Sequence, residues 1–176
     1  PVINLIVNLF VGFSIGANVV IANAIGQGNK KKANRAAHTV ISLAIICGIA
    51  LIFIGNVVAA PILSMMDTPD NVLPLAVEYL RIYFCGMPFF MVYNFGSAVL
   101  RSIGDTKKPL YCLLVSGVIN VALNLFLVIV CDLGVAGVAI ATVTANAISA
   151  SMIIFFLIHA DETIRLERNY HLTKMR

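Results

Sequence analysis

Residues 110–160 read LYCLLVSGVINVALNLFLVIVCDLGVAGVAIATVTANAISASMIIFFLIHA, and Asp132 is the only formally charged side chain among them. A membrane-crossing helix needs about 20 consecutive apolar residues at about 1.5 Å rise each. The stretch therefore holds two crossings, 110–131 and 134–159, joined around Asp132-Leu133-Gly134. A connection that short makes the two helices antiparallel neighbours.

Working outward, the same criterion gives further spans at 2–25, 36–60 and 79–100. Composition agrees: 60% of the 176 residues are hydrophobic and 11% charged, with a mean hydropathy of +0.97, where a globular protein carries about 25% charged residues. A soluble domain is excluded, and the expected fold class is an all-α integral membrane protein with five transmembrane helices in one lobe over residues 1–160. Residues 161–176 read as a cytoplasmic tail or linker. The chain opens on Pro1 with no Met and no basic region ahead of its first apolar run, so it reads as a fragment rather than a natural start.

Local signals refine the spans. The apolar run from Ala36 to Met66 exceeds one crossing, and its surplus is expected to tilt or lie along the interface near Pro61. Thr68-Pro69-Asp70 predicts a helix start, with Thr68 as N-cap and Pro69 at the first helical position. Pro88 should kink the third span.

Orientation follows from the cations. Lys30, Lys31, Lys32 and Arg35 follow the first span, Arg101, Lys107 and Lys108 the third, and Arg165, Arg168, Lys174 and Arg176 the fifth, leaving only Arg81 of the 12 basic residues on the other side. Basic loops stay in the cytoplasm, so loops 27–35 and 101–109 and the C-terminal tail are read as cytoplasmic, and Asp67, Asp70, Glu78 and Asp132 as outer. The net charge of +4 is thereby explained by topology and contact with anionic lipid, not by nucleic acid. Cys47, Cys85, Cys112 and Cys131 lie singly in apolar surroundings, without metal-ligand spacing, and read as small buried hydrophobes.

No Asp, Glu or Lys lies deep in a span; amides and hydroxyls take that place. The first span carries Asn4, Asn8 and Asn18, with Asn23 near its end. Ser116, Asn120 and Asn124 recur at i, i+4, i+8 on one helix face, and Thr142, Asn146 and Ser149 share a face of the last span beside a smooth strip of Gly134, Gly137, Ala141 and Ala145. Two readings stay open for these groups: interhelical hydrogen bonds, worth about 0.6 kcal/mol each on average, or a cation or substrate site of hard oxygen atoms. Gly12 and Gly16 form a G-x-x-x-G read as helix packing. Arg81 is expected to snorkel, and His38, His159 and His171 sit at membrane edges without a chemical role. Beside the expected kink, Met91 and Asn94 are candidates to line a substrate path, with ordinary packing as the alternative.

Five strings in order carry a resemblance. Ile21-Ala22-Asn23-Ala24-Ile25-Gly26-Gln27-Gly28-Asn29-Lys30 with Arg35, Tyr79-Leu80-Arg81-Ile82, Leu100-Arg101-Ser102-Ile103-Gly104-Asp105-Thr106-Lys107-Lys108-Pro109-Leu110, Asn120-Val121-Ala122-Leu123-Asn124 and Gly134-Val135-Ala136-Gly137-Val138-Ala139-Ile140-Ala141-Thr142 together resemble the multidrug and toxic compound extrusion (MATE) transporter family. The resemblance covers the second to sixth helices of that family's N-terminal lobe. It implies a secondary-active antiporter in the bacterial inner membrane, without a cofactor, exchanging H+ or Na+ for small organic cations and drugs by alternating access. It also implies a first helix and a second lobe on the same polypeptide. Its N-lobe cation site maps onto Asn120, Asn124 and Thr142, with the Val138 carbonyl as a further ligand, beside a first-helix carboxylate that this chain does not contain.

Other classes fare less well on sequence. A lipid-linked oligosaccharide flippase of the same superfamily would line its cavity with cations, and none lies deep here. A channel or structural subunit should show acidic rings or a filter loop. An enzyme should show H-E-x-x-H, G-x-S-x-G or a carboxylate pair inside the membrane, and the chain has none of these motifs.

Overall fold

A computed structural model describes residues 2–160. Their regular structure is helical throughout: α1 (Val2–Gly26), α2 (Lys30–Met65), α3 (Leu73–Cys85), α4 (Met87–Ser102), α5 (Lys107–Leu125), a π segment (Phe126–Val130) and α6 (Gly134–Ile158). The all-α membrane architecture expected from sequence is the one observed. Helices α1, α2, α5 with its π extension, and α6 are each long and apolar enough to cross a membrane, and α3 with α4 makes a fifth span when the bent pair is taken as one. The tail 161–176, with its four cations and His171, lies outside the described residues.

Helix α2 begins where Asn29 accepts a 3.0 Å hydrogen bond from the Lys32 backbone N–H, a side-chain N-cap. It then runs for 36 residues without a break, with Pro61 inside it, a length of about 54 Å. Pro61 has no N–H to offer the Val57 carbonyl one turn back. The helix nevertheless continues to Met65, so the surplus near Pro61 belongs to the same helix.

The expected start of the third span at Thr68 is corrected. Residues 69–72 form a turn in which the backbone N–H groups of Val72 and Leu73 both donate to the Pro69 carbonyl at 2.9 Å. Helix α3 starts at Leu73, and Pro74, not Pro69, occupies its first turn. Both prolines suit a helix start. The tight turn after α2, with Asp67 at φ 50°, uses the first of them to reverse the chain.

Pro88 does interrupt the third span. Gly86 ends α3 and caps α4, with Pro88 in the first turn of α4, and the two helices meet at 47°. Tight packing holds this bend in place: a β-carbon on Gly48 of α2 would overlap the Pro88 backbone, so only glycine lets α2 and α4 approach this closely.

The core lies around α4, which packs on both α2 and α6, and Met87, Met91, Phe95, Leu100, Ile153 and Leu157 are fully buried in it. Helices α1 and α5 flank that core and leave long apolar faces exposed, Leu9 and Phe13 on one and Leu113, Val118 and Val121 on the other, as lipid-facing helices do. Gly12 and Gly16 are exposed, and a β-carbon on either would meet nothing within 4 Å. Their expected packing role is therefore not made among the described residues. Of the cysteines, Cys112 is buried and Cys47 partly so, but Cys85 and Cys131 are exposed: each sits at a helix end, where no neighbouring helix covers it.

Candidate functional site

The α5 row of polar residues sits on the helix that packs against α6. Ser116, at its N-terminal end, is buried and satisfies its hydroxyl locally by donating to the Leu113 carbonyl at 3.1 Å. One turn on, the Asn124 Nδ2 donates to the Asn120 Oδ1 at 2.6 Å. The i, i+4 spacing thus yields a direct amide pair, both members partly buried. The Asn124 Oδ1 is itself buried and has no hydrogen-bond partner among the described residues. A buried acceptor left unpaired costs about 1–3 kcal/mol, so this oxygen is the one strained polar group of the row.

Thr142 comes from α6. Its hydroxyl donates to the Val138 carbonyl at 3.0 Å, the i−4 back-bond common for Thr within a helix. Thr142 and the Val138 carbonyl, both named by the family resemblance, are therefore joined to each other and not to the amide pair. The smooth strip beside them is used for packing. Gly137, Ala141 and Ala145 are buried, and a β-carbon on Gly137 would come 3.2 Å from the Leu127 Cβ in the π segment. Ser149 is buried and Asn146 partly buried on the same helix.

The π segment follows Asn124 by one residue. Its wider winding shows in Cys131 donating to the Phe126 carbonyl five residues back at 3.2 Å, and Leu133 beyond it closes the turn by donating to the Leu127 carbonyl at 3.1 Å. Sequence gives no signal for it, and such segments often occur at functional sites. Chemically, the α5 amide oxygens and, on the adjoining helix, the Thr142 hydroxyl and Val138 carbonyl are all hard oxygen donors. Such donors suit an alkali cation or a protonated carboxyl group, not a transition metal.

The other candidates fare differently. Met91 is 1% exposed and packs in the core. Asn94 is partly buried and donates to the Phe90 carbonyl at 2.8 Å, a local bond within α4. Asn4, Asn8 and Asn23 are exposed and Asn18 partly buried on α1. Sequence reading missed Tyr93, whose hydroxyl donates to the Pro109 carbonyl at 3.1 Å and ties the bent span to α5. No periodicity marks that contact, because its acceptor is backbone.

The α4–α5 loop is held by its own ion pair. Lys108 Nζ lies 3.0 Å from Asp105 Oδ2, and the Lys108 backbone N–H donates to Asp105 Oδ1 at 3.3 Å. Burial pushes the Asp105 carboxyl up, but the hydrogen bonds and charge of Lys108, with a bond from the Lys107 backbone, outweigh it and leave the group below its ordinary value. Lys108 also stands 5.9 Å from the centre of the Phe156 ring, so the loop is fastened to α6 as well.

The profile of the MatE family matches residues 1–126. Among curated proteins, the chain is 31% identical to the probable multidrug resistance protein YoeA of Bacillus subtilis, over 94% of this chain and 38% of that protein. It is 27% identical to the FAD transporter of Shewanella oneidensis, over 90% of this chain and 36% of that protein. The chain thus spans under two fifths of the length of these curated relatives. Its fold matches a solved inward-facing structure of a multidrug resistance MATE family transporter with a TM-score of 0.87 at 23% identity, covering 92% of this chain and 37% of that one.

Proposed function

The chain belongs to the MatE family, and from that premise we propose that it is one lobe of a secondary-active efflux antiporter, with Asn120, Asn124 and Thr142 at its coupling-cation site. The observation that carries this reading is the amide pair, with its buried and unpartnered Asn124 Oδ1. An incoming Na+ gains that oxygen as a ligand, and a protonated carboxyl gains it as an acceptor. Either arrangement relieves the strained group only while the cation is held. That is the differential contact a coupled transporter needs in order to favour one conformation over another.

The lobe would then rock against a second one in the bacterial inner membrane, with loops 27–35 and 101–109 and the tail on the cytoplasmic side. Small organic cations and drugs are the proposed substrates. The relatives' names point to more than one cargo, multidrug resistance for one and FAD for another. The absence of Lys or Arg deep in the described spans favours cationic over anionic cargo, since a buried anion needs a paired charge.

The test is cation-driven efflux by the whole polypeptide, normalised to folded protein, for Asn120→Leu and Asn124→Leu. Each removes an oxygen while raising apolarity, so insertion persists and transport per folded molecule falls more than tenfold, about 1.4 kcal/mol in the coupled step. Unchanged transport per folded molecule in both variants would remove the site assignment.

A further inference from the structure

The cations after α1 act as a topology signal and as a general contact with anionic lipid, and two of them also have a specific structural setting. Lys32 and Arg35 stand at the mouth of a cavity of about 400 Å³ between α1 and α2, whose walls include Phe13, Ala17, Val20 and Leu43. Among the described residues no acidic side chain lines it, and the first turn of α2 contains none. Thr39 on the same wall donates its hydroxyl back to the Arg35 carbonyl at 2.9 Å, and Arg35 itself is exposed. The cavity therefore has two exposed cations at one end and an apolar trough running along the membrane-spanning direction from there. Cationic head and apolar body together match an anionic amphiphile: the charge excludes organic cations, and the trough adds nothing for a free ion.

We propose that this groove is a binding site for an anionic phospholipid, its phosphate held between Lys32 and Arg35 and one acyl chain laid along Phe13, Ala17 and Val20 against Leu43. Arg offers a planar fork and Lys a point charge to the phosphate oxygens, and each apolar contact keeps the acyl chain within protein rather than bulk lipid. The leaflet occupied rests on the orientation proposed above, but the chemistry of the site does not. The neighbouring Lys30 and Lys31 are on the same turn but do not line the cavity, so they supply the internal control.

The test uses the whole protein, purified in detergent, with native mass spectrometry after addition of phosphatidylglycerol, phosphatidylcholine or glycerol phosphate. The expected result is retained phosphatidylglycerol in clear preference to phosphatidylcholine, at least a fivefold loss of it in Lys32→Gln/Arg35→Gln, and little loss in Lys30→Gln/Lys31→Gln, which removes the same charge. Ala17→Trp, which fills the trough and keeps both cations, should also lose the lipid. Equal losses in the two double variants would reduce the site to diffuse attraction and overturn the proposal. Displacement of the lipid by equimolar glycerol phosphate would mark a free-anion site and overturn it too. Efflux and its dependence on Asn120 and Asn124 are read separately, so failure here leaves the antiporter reading standing, and failure there leaves the lipid site standing.

Discussion

Asn124 donates its amide N–H to the Asn120 Oδ1 across 2.6 Å, so the two side chains act as one polar unit whose unpaired end is a buried carbonyl oxygen. Asn124→Asp tests that polarity. A protonated carboxyl can donate to Asn120 as the amide does, whereas a carboxylate only accepts. Partial burial favours the neutral form, so the variant should retain part of the transport activity and lose it progressively as pH rises. Efflux measured from pH 6 to pH 9 checks this, and a flat profile equal to that of the unaltered protein counts against the pair as the coupling unit.

Gly48 and the Pro88 backbone touch so closely that no β-carbon fits between them. Gly48→Ala should therefore destabilise the protein by about 2 kcal/mol or more, an overpacking cost. Gly117→Ala, where nothing lies within 4 Å, should be neutral or stabilising by up to about 1 kcal/mol. Thermal melting in detergent separates the two. Similar melting points would mean that α2 and α4 can move apart without cost.

Gly104 ends α4 at φ +83° with open space around it. Any penalty there is one of backbone conformation and not of clash. Gly104→Val should lower the yield of folded protein, since a left-handed conformation costs an L-residue about 1–2 kcal/mol and a β-branched one more. Gly104→Asn should cost little. Drug preference per folded molecule should be unchanged in both, and an altered profile at normal yield would instead place the loop in substrate selection.

The ion pair of Asp105 with Lys108 predicts an acid limb in stability. The folded-state pKa of Asp105 is lowered from an ordinary 3.8, so its contribution is present above that value and is lost as pH falls through the lower, folded-state one. With the Asp105 side chain 24% exposed, the effect should stay within about 1 kcal/mol. Asp105→Asn keeps an acceptor for the Lys108 backbone but has nothing to titrate, so its melting temperature should decline less between pH 5 and pH 2.5. Parallel declines would assign the acid limb to other carboxylates.

Single cysteines at Asn29 and Lys107 in a cysteine-free background should react only with membrane-permeant reagents in intact cells, and one at Asp70 with impermeant reagents also. Impermeant labelling at Lys107 would invert the proposed orientation.

Five apolar runs bounded by charge clusters were enough to place the spans, because apolar length is what a bilayer selects. The Pro88 kink was legible for a similar reason: a residue that cannot donate must interrupt a helix. Thr68 misled because two prolines, Pro69 and Pro74, satisfy the same local rule, and a contact-level choice between turn and helix decided which one was used. The partner of Gly12 and Gly16 was unreadable because small residues specify closeness without saying to what. At the candidate site the Asn120–Asn124 bond follows from i, i+4 spacing. The Thr142 hydroxyl turned to its own helix, an option open to any helical Thr that spacing alone does not disclose.

The π segment after Leu125 also has a consequence for how this chain tolerates change. An α-helix advances about 100° per residue, so a π turn accommodates one surplus residue and resets the phase of everything beyond it. Leu127, at about 20° of helix phase from Ser116, still meets Gly137 on the face begun by that row, and the reset acts on the residues beyond it. Deleting one residue between 126 and 130 should therefore restore ordinary winding while leaving α6 and the turn at Asp132 in step, whereas the same deletion between Ser116 and Asn124 would throw the amides out of phase with each other. Within one span, the C-terminal third is written with slack in its length and the middle third with none.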